Sequence, residues 1–258
     1  MAKIHPTAVV DPGAKIADDV EIGPLSVVDG EVELGSGVRI GSHVVVTGKT
    51  VVGARTQIFP FSTIGVPPQM LGFDGQTTEL VIGEDNIIRE HASIHVGTPA
   101  GGGRTSIGNH NLIMNSFHVA HDCQIGNFCV LAGYSGMGGH VQLEDFVVLG
   151  GMTGIHQFVR VGESAFTAGN SMVSKDVPPY SKVAGDRATF AGVNRINLER
   201  RGFEPERIQV IKHAFFLLFQ SKLRFDEACA RVEEECAGSA EVAHLLEFLR
   251  ASERGFIR

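Results

Sequence analysis

The chain has 258 residues, with 22 Lys/Arg against 29 Asp/Glu, 32 glycines, two tyrosines and no tryptophan. A net charge of −7 argues against a nucleic-acid footprint, and no apolar run reaches bilayer-spanning length. The opening Met1-Ala2-Lys3-Ile4-His5-Pro6 lacks the apolar stretch of a signal peptide, so a soluble, cytoplasmic protein is expected.

Aliphatic residues recur at every sixth place from the start: Ile4, Val10, Ile16, Ile22, Val28, Leu34, Ile40, Val46, Val52, Ile58 and Ile64. The cadence stops over 66–80, which contains Pro67-Pro68, Gly72, Asp74 and Gly75. It resumes at Ile82, Ile88 and Ile94, halts over 99–105, and then runs from Ile107 to Val173 with Thr167 as its one polar substitute. Such self-similarity marks a parallel β-helix of hexapeptide repeats. With three hexads per coil, as in hexapeptide solenoids, the 26 hexads make between eight and nine coils. Phase is kept within each block, so the two interruptions read as loops thrown outward from coil corners, and long loops in a compact fold are usually functional.

Asp176-Val177-Pro178-Pro179-Tyr180 is expected to close the solenoid, because two prolines cannot serve a central ladder. A short helix over 193–201 ended by Gly202, a second opened by Pro205, a third around 226–236 and a fourth capped by Ser239 follow. The expected organisation is an all-β solenoid over 1–185 and a helical domain over 186–258. From Asp186 onward there are 12 Lys/Arg and 12 Asp/Glu, against 10 and 17 before it. That basic bias fits either solvated helix faces or the docking of an acidic partner. Cys123 and Cys129, each at the fifth place of a hexad, read as core thiols.

Four histidines fall within 113–161: His118, His121, His140 and His156. With 18 residues per coil, residue n stacks on residue n+18 at roughly 4.8 Å. His140 then lies over Asp122, Gly139 over His121, and His156 over Gly138, with His118 around the adjoining corner. A histidine beside a carboxylate holds one tautomer and can act as a general base near neutral pH. A glycine in the next rung lets a substrate approach the backbone, where an N–H can stabilise an oxyanion. Metal binding is the rival use of clustered imidazoles, but the spacing adds no second carboxylate and no cysteine pair. The remaining histidines, His5, His43, His91, His95, His110, His213 and His244, read as surface or corner residues.

Several motifs then make the chain recognisable: Ala120-His121-Asp122-Cys123, Gly138-Gly139-His140-Val141, Gly150-Gly151-Met152-Thr153, Ile155-His156-Gln157-Phe158, Gly192-Val193-Asn194 and Arg200-Arg201-Gly202-Phe203. Together with the helical tail they resemble the UDP-N-acetylglucosamine O-acyltransferases that begin lipid A biosynthesis. The resemblance implies a left-handed parallel β-helix and a homotrimer with active sites in the clefts between subunits. It implies transfer of an (R)-3-hydroxyacyl chain from acyl carrier protein, the donor substrate, with no cofactor and no metal. His121 would be the general base on the sugar 3-hydroxyl, Asp122 its support, and Gly139 the N–H donor to the thioester oxygen. Gln69, His118, His140, His156 and Gln157 would line the substrate cleft. Gly169 would mark the acyl groove, and Asn194, Arg200 and Arg201 would hold the nucleotide.

The resemblance breaks on the acceptor side. Where the family usually has Gln-Asp-Leu-Lys, this chain has Gln69-Met70-Leu71-Gly72; Val96 stands for a usual arginine and Ile196 for a usual glutamate. Loss of the two loop charges points to weaker binding of UDP-N-acetylglucosamine than of its 3-amino analogue. Two other classes share the repeats. One is a related N-acyltransferase or acetyl-CoA-dependent sugar acetyltransferase; the N-acyltransferase typically has a further N-terminal domain, whereas the hexads here begin at Ile4. The other is a non-catalytic or metal-dependent trimer, which zinc content would separate.

Overall fold

The computed structural model describes all 258 residues. Strands mostly two residues long alternate with turns and stack into three sheets of eleven, nine and eight strands. These form the faces of a left-handed triangular prism. Face A holds Leu112–Ile113, face B His118–Val119 and face C Gln124–Ile125, and the chain then returns to face A at Val130–Leu131. Vertical neighbours are 18 residues apart, as in Gln124↔Gln142↔Arg160 and His118↔Gly136↔Gly154. The second residue of nearly every strand points inward. Ile113, Val119, Leu131 and Leu149 are fully buried within one core of 40 residues, and each such side chain contributes about 1.5–3 kcal/mol of hydrophobic stabilisation.

Both interruptions leave from the edge between faces B and C. The first lies between Thr63–Val66 and Glu79–Ile82, the second between Ser93–His95 and Arg104–Ile107. Ladder partners on face B are therefore 30 residues apart across the first (Thr63↔Ser93) and 25 across the second (Ser93↔His118). The next three crossings of that edge carry His121, His140 and His156. The loops and the histidines share one side of the molecule.

The prolines do not end the stack. Ser181–Ala184 still pairs in parallel with Phe166–Thr167, and Thr189–Val193 folds back antiparallel against it. Pro178 and Pro179 sit at a corner, where no ladder N–H is required. The division expected at 185 falls in the turn of this hairpin, and the first helix begins at Arg195. Four helices follow, α1 (Arg195–Arg200), α2 (Pro205–Phe219), α3 (Phe225–Glu235) and α4 (Ala240–Arg250), around a second core of 17 residues. The Ser239 hydroxyl accepts from the Val242 N–H and so caps α4. The C-terminal tail then returns to the prism, where the Ile257 N–H donates to the Asp176 carbonyl and the Ile257 side chain is buried.

A charged cluster fastens α4 to the edge between faces C and A. His244 lies 3.0 Å from Glu144 and 3.6 Å from Glu163, and the Tyr180 hydroxyl is 3.1 Å from its Nδ1. His244 is thus no free surface residue, contrary to expectation, because the helical unit folds it onto two carboxylates. Hydrogen bonds to Glu144 and Glu163 raise its pKa to about 10. Burial pushes Glu163 up, but hydrogen bonds from His244 and Arg201 outweigh it and hold the acid at about 2. A histidine whose pKa is raised on folding gives stability that is complete below its unfolded value near 6.5 and is lost as pH rises through 10. The Glu163 contribution is complete above 4.5 and lost as pH falls towards 2. His244→Gln should lower the melting temperature at pH 6 by on the order of 5 °C, from charged hydrogen bonds of about 1.5–3 kcal/mol each. Thermal melts of both proteins should converge towards pH 10.

Candidate active site

The corner that follows His118–Val119 turns through Asp122, whose φ is 60°. One coil on, His140 takes the same position with φ 62°, and then Phe158 with φ 64°. This left-handed conformation is uncommon for residues other than glycine and is most accessible to Asn, Asp and His. The repeat therefore stacks Asp122, His140 and Phe158. The His140 ring lies flat on Phe158 (4.3 Å between centroids, 6° between planes) and edge-on to His121 (5.2 Å, 89°).

His121 Nδ1 is 2.7 Å from Asp122 Oδ2. A carboxylate in this contact accepts, so Nδ1 carries the hydrogen and Nε2 presents a bare lone pair. Asp122 is buried, with only 1% of its side chain exposed against 20% for His121. The Thr98 N–H donates to Oδ1 (2.8 Å) and the Thr98 hydroxyl to Oδ2 (2.6 Å). His140 Nε2 stands 3.7 Å from Oδ2. His121, Asp122 and His140 offer three donor atoms within 4.8 Å of one another, the arrangement of a metal cluster. The Asp122 carboxylate also accepts from Thr98 and His121, so an ion there would compete with hydrogen bonds already made.

Gly139 packs directly on the His121 ring, as the coil arithmetic requires. A Cβ there would lie 2.6 Å from Cε1 and 2.8 Å from Nε2. The Gly139 N–H donates to no protein acceptor. A cavity of about 640 Å³, within the range of small-molecule sites, runs beside this group and is lined by Asp122, His140, Phe158, Arg160 and Arg254. A second, of about 570 Å³, is lined by His156, Lys175, Arg187 and Arg254. Arg254 belongs to both and reaches His156 Nδ1 at 2.9 Å. His118 lies on the strand leading into the corner rather than around it, with its Nδ1 2.9 Å from the Ser93 hydroxyl.

His95 is a residue the spacing misplaced. It is 3% exposed, its ring sits 5.0 Å from that of His118, and its Nδ1 is 2.8 Å from the Pro67 carbonyl. The carbonyl can only accept, so His95 Nε2 is an acceptor as well, and no protein group satisfies it. Burial pushes His95, His118 and His140 below the ordinary histidine range.

The other expected residues are spread over all three edges of the prism. Gln69, His156 and Gln157 are exposed on the same B–C side. Gly169 is exposed at the corner between faces A and B, in a column with Gly133 and Gly151. Asn194 is buried at the corner between faces C and A, its amide donating to the Ser164 carbonyl. Arg201 is pinned there too, paired with Glu163 at 2.6 Å and lying over the Phe146 ring at 3.7 Å, while Arg200 is exposed. Cys123 and Cys129 are buried thiols pushed up to about 12 by desolvation, unsuited to nucleophilic attack.

Hexapeptide coils carrying a histidine–carboxylate pair beneath an unpaired glycine N–H define a hexapeptide-repeat acyltransferase. A profile described as bacterial transferase hexapeptide matches residues 13–48, and one described as UDP N-acetylglucosamine O-acyltransferase, domain 2, matches residues 176–257. The chain is 48% identical over 258 residues, the full length of both, to the acyl-[acyl-carrier-protein]–UDP-N-acetylglucosamine O-acyltransferase of Myxococcus xanthus, and 47% identical over the same extent to that of Thiobacillus denitrificans. Among solved structures it resembles the Francisella novicida UDP-N-acetylglucosamine acyltransferase, with a TM-score of 0.95 and 38% identity over 99% of this chain and 94% of that one. The chain belongs to the UDP-N-acetylglucosamine O-acyltransferase family, as the motifs implied.

Proposed function

We propose that this protein transfers an (R)-3-hydroxyacyl chain from acyl carrier protein to the 3-hydroxyl of UDP-N-acetylglucosamine, the first step of lipid A biosynthesis. The observation that carries this is His121, its Nδ1 fixed on Asp122 and its free Nε2 beside the Gly139 backbone. Nε2 removes the proton from the sugar hydroxyl as its oxygen attacks the thioester carbon. The Gly139 N–H stabilises the oxyanion that forms, and collapse expels the carrier-protein thiolate, which takes the proton from the imidazolium and leaves as the thiol. Transfer is direct and uses no cofactor. No helix is long and apolar enough to cross a membrane, and the reading places the enzyme in the cytoplasm with its donor.

The active unit is a homotrimer. The expected binding residues occupy three edges of one prism: His121 and His140 on B–C, Gly169 on A–B, and Asn194 and Arg201 on C–A. A threefold assembly that sets one subunit's edge against another's would gather them into one cleft. Of the basic residues after 185, Arg195, Arg201, Arg207, Arg231 and Arg250 are engaged by carboxylates, leaving the exposed Lys222 and Arg224 among those free to meet an acidic carrier protein.

Gly169 sets chain length. A Cβ there would meet only Gly151, its oxygen at 3.3 Å, so this position is read as the open end of the acyl groove and a long donor such as 3-hydroxymyristoyl is expected. Gly169→Met should shift preference towards shorter donors, measured as relative kcat/KM across acyl-carrier-protein substrates; a ten-carbon preference in the wild type would refute this assignment.

A second acceptor, the 3-amino analogue, is favoured by one observation: the loop presents an exposed Met70 and a glycine at 72, so no charge-assisted bonds of about 1.5–3 kcal/mol come from these positions. Competition between the two sugars, read by mass spectrometry as ester against amide, decides between them. Predominant ester supports the hydroxyl acceptor, and predominant amide the amino one.

A further inference from the structure

We infer that the second loop is a clamp for the catalytic pair, and that Thr98 is a positioning residue acting through Asp122. The hydroxyl of Thr98 is oriented from both sides. It accepts the Gly101 N–H at 3.1 Å, which directs its own hydrogen to Asp122 Oδ2 at 2.6 Å, while its backbone N–H holds Oδ1 at 2.8 Å. The same Oδ2 receives the His121 Nδ1–H at 2.7 Å. Thr98 therefore fixes the carboxylate on which the orientation and tautomer of His121 depend. The Asp122 N–H is held in turn by the Thr105 hydroxyl at 2.8 Å, from the strand that ends the loop.

Gly101 closes the clamp. Its φ is not in the left-handed region, so conformation does not demand glycine there, but space does. A Cβ at Gly101 would lie 2.1 Å from Asp122 Cγ and 2.2 Å from Oδ2. The loop is seated on the carboxylate, keeping it buried and saturated with donors. A buried carboxylate persists only when its acceptors are met, and a base held by an unanchored partner loses its geometry.

The clamp matters to turnover only because His121 is read as the base, and the test separates the two ideas. Thr98→Val preserves shape and removes the hydroxyl; it should lower kcat by roughly 10–100-fold, the range seen when groups supporting a reactive ligand are lost. KM for the sugar should stay near wild type, while the melting temperature falls by a few degrees because a buried carboxylate loses one donor. Thr98→Ser, which keeps the donor, should recover most of kcat. In an Asp122→Ala background Thr98→Val should cause no further loss, since both act through one carboxylate. Wild-type kcat in Thr98→Val, equal losses in Thr98→Val and Thr98→Ser, or full additivity with Asp122→Ala would each overturn the clamp. Retained activity in His121→Ala would instead overturn the reading of the base.

Discussion

His121→Ala should lose on the order of 10²–10⁴ in kcat/KM, the usual contribution of a positioned general base. The fold should survive, because the core under this edge is aliphatic and His121 is outside it. The neighbouring imidazoles are held in other contacts. His140 is stacked on Phe158, and His95 has its Nδ1 committed to the Pro67 carbonyl. Steady-state kinetics alongside a melting curve checks this. Near-normal activity in a folded variant would remove His121 from the mechanism.

A change one coil away should have a comparable effect without touching a titratable group. In Gly139→Ala the new methyl would lie 2.6 Å from His121 Cε1 and 2.8 Å from Nε2, closer than carbon and nitrogen can approach. The backbone at 139 does not require glycine for its φ, so the imidazole must move. Displacing it costs little stability but takes Nε2 away from the reacting hydroxyl and crowds the N–H that receives the oxyanion. Misplacement by about 1 Å can cost 10²-fold, and a loss of at least that size in kcat is expected with an almost unchanged melting temperature. A normal kcat would show that neither the ring position nor the Gly139 backbone matters.

The solenoid was legible because its energetics are periodic. A buried aliphatic at every sixth place forces short strands, and the unbroken run from Ile107 to Val173 made the 18-residue stacking of Gly139 on His121 a matter of counting. Counting fails across insertions. His95 would fall on Ile113 by the 18-residue rule, whereas Ser93 in fact pairs with His118, so His95 arrives beside the corner that carries His121. Matching Ile94 to Val119 across the second loop would have found it. The clamp was hidden for the same reason, since Thr98 and Gly101 belong to a segment with no period. His244 was missed because its partners, Glu144 and Glu163, are brought to it only when the helical unit docks. Likewise, nothing in the spacing indicated that Arg201, read as a nucleotide ligand, is tied to Glu163 within its own chain.

Acyl transfer by His121 from carrier protein to a nucleotide sugar can be followed directly. Its most direct test incubates wild type and His121→Ala with (R)-3-hydroxymyristoyl-acyl carrier protein and UDP-N-acetylglucosamine, and reads the products by mass spectrometry. The wild type should give one acyl ester at the sugar 3-position, the variant should lose that ester, and no product should form when acetyl-CoA replaces the acyl carrier protein. Transfer from acetyl-CoA, or equal ester from both proteins, would contradict it.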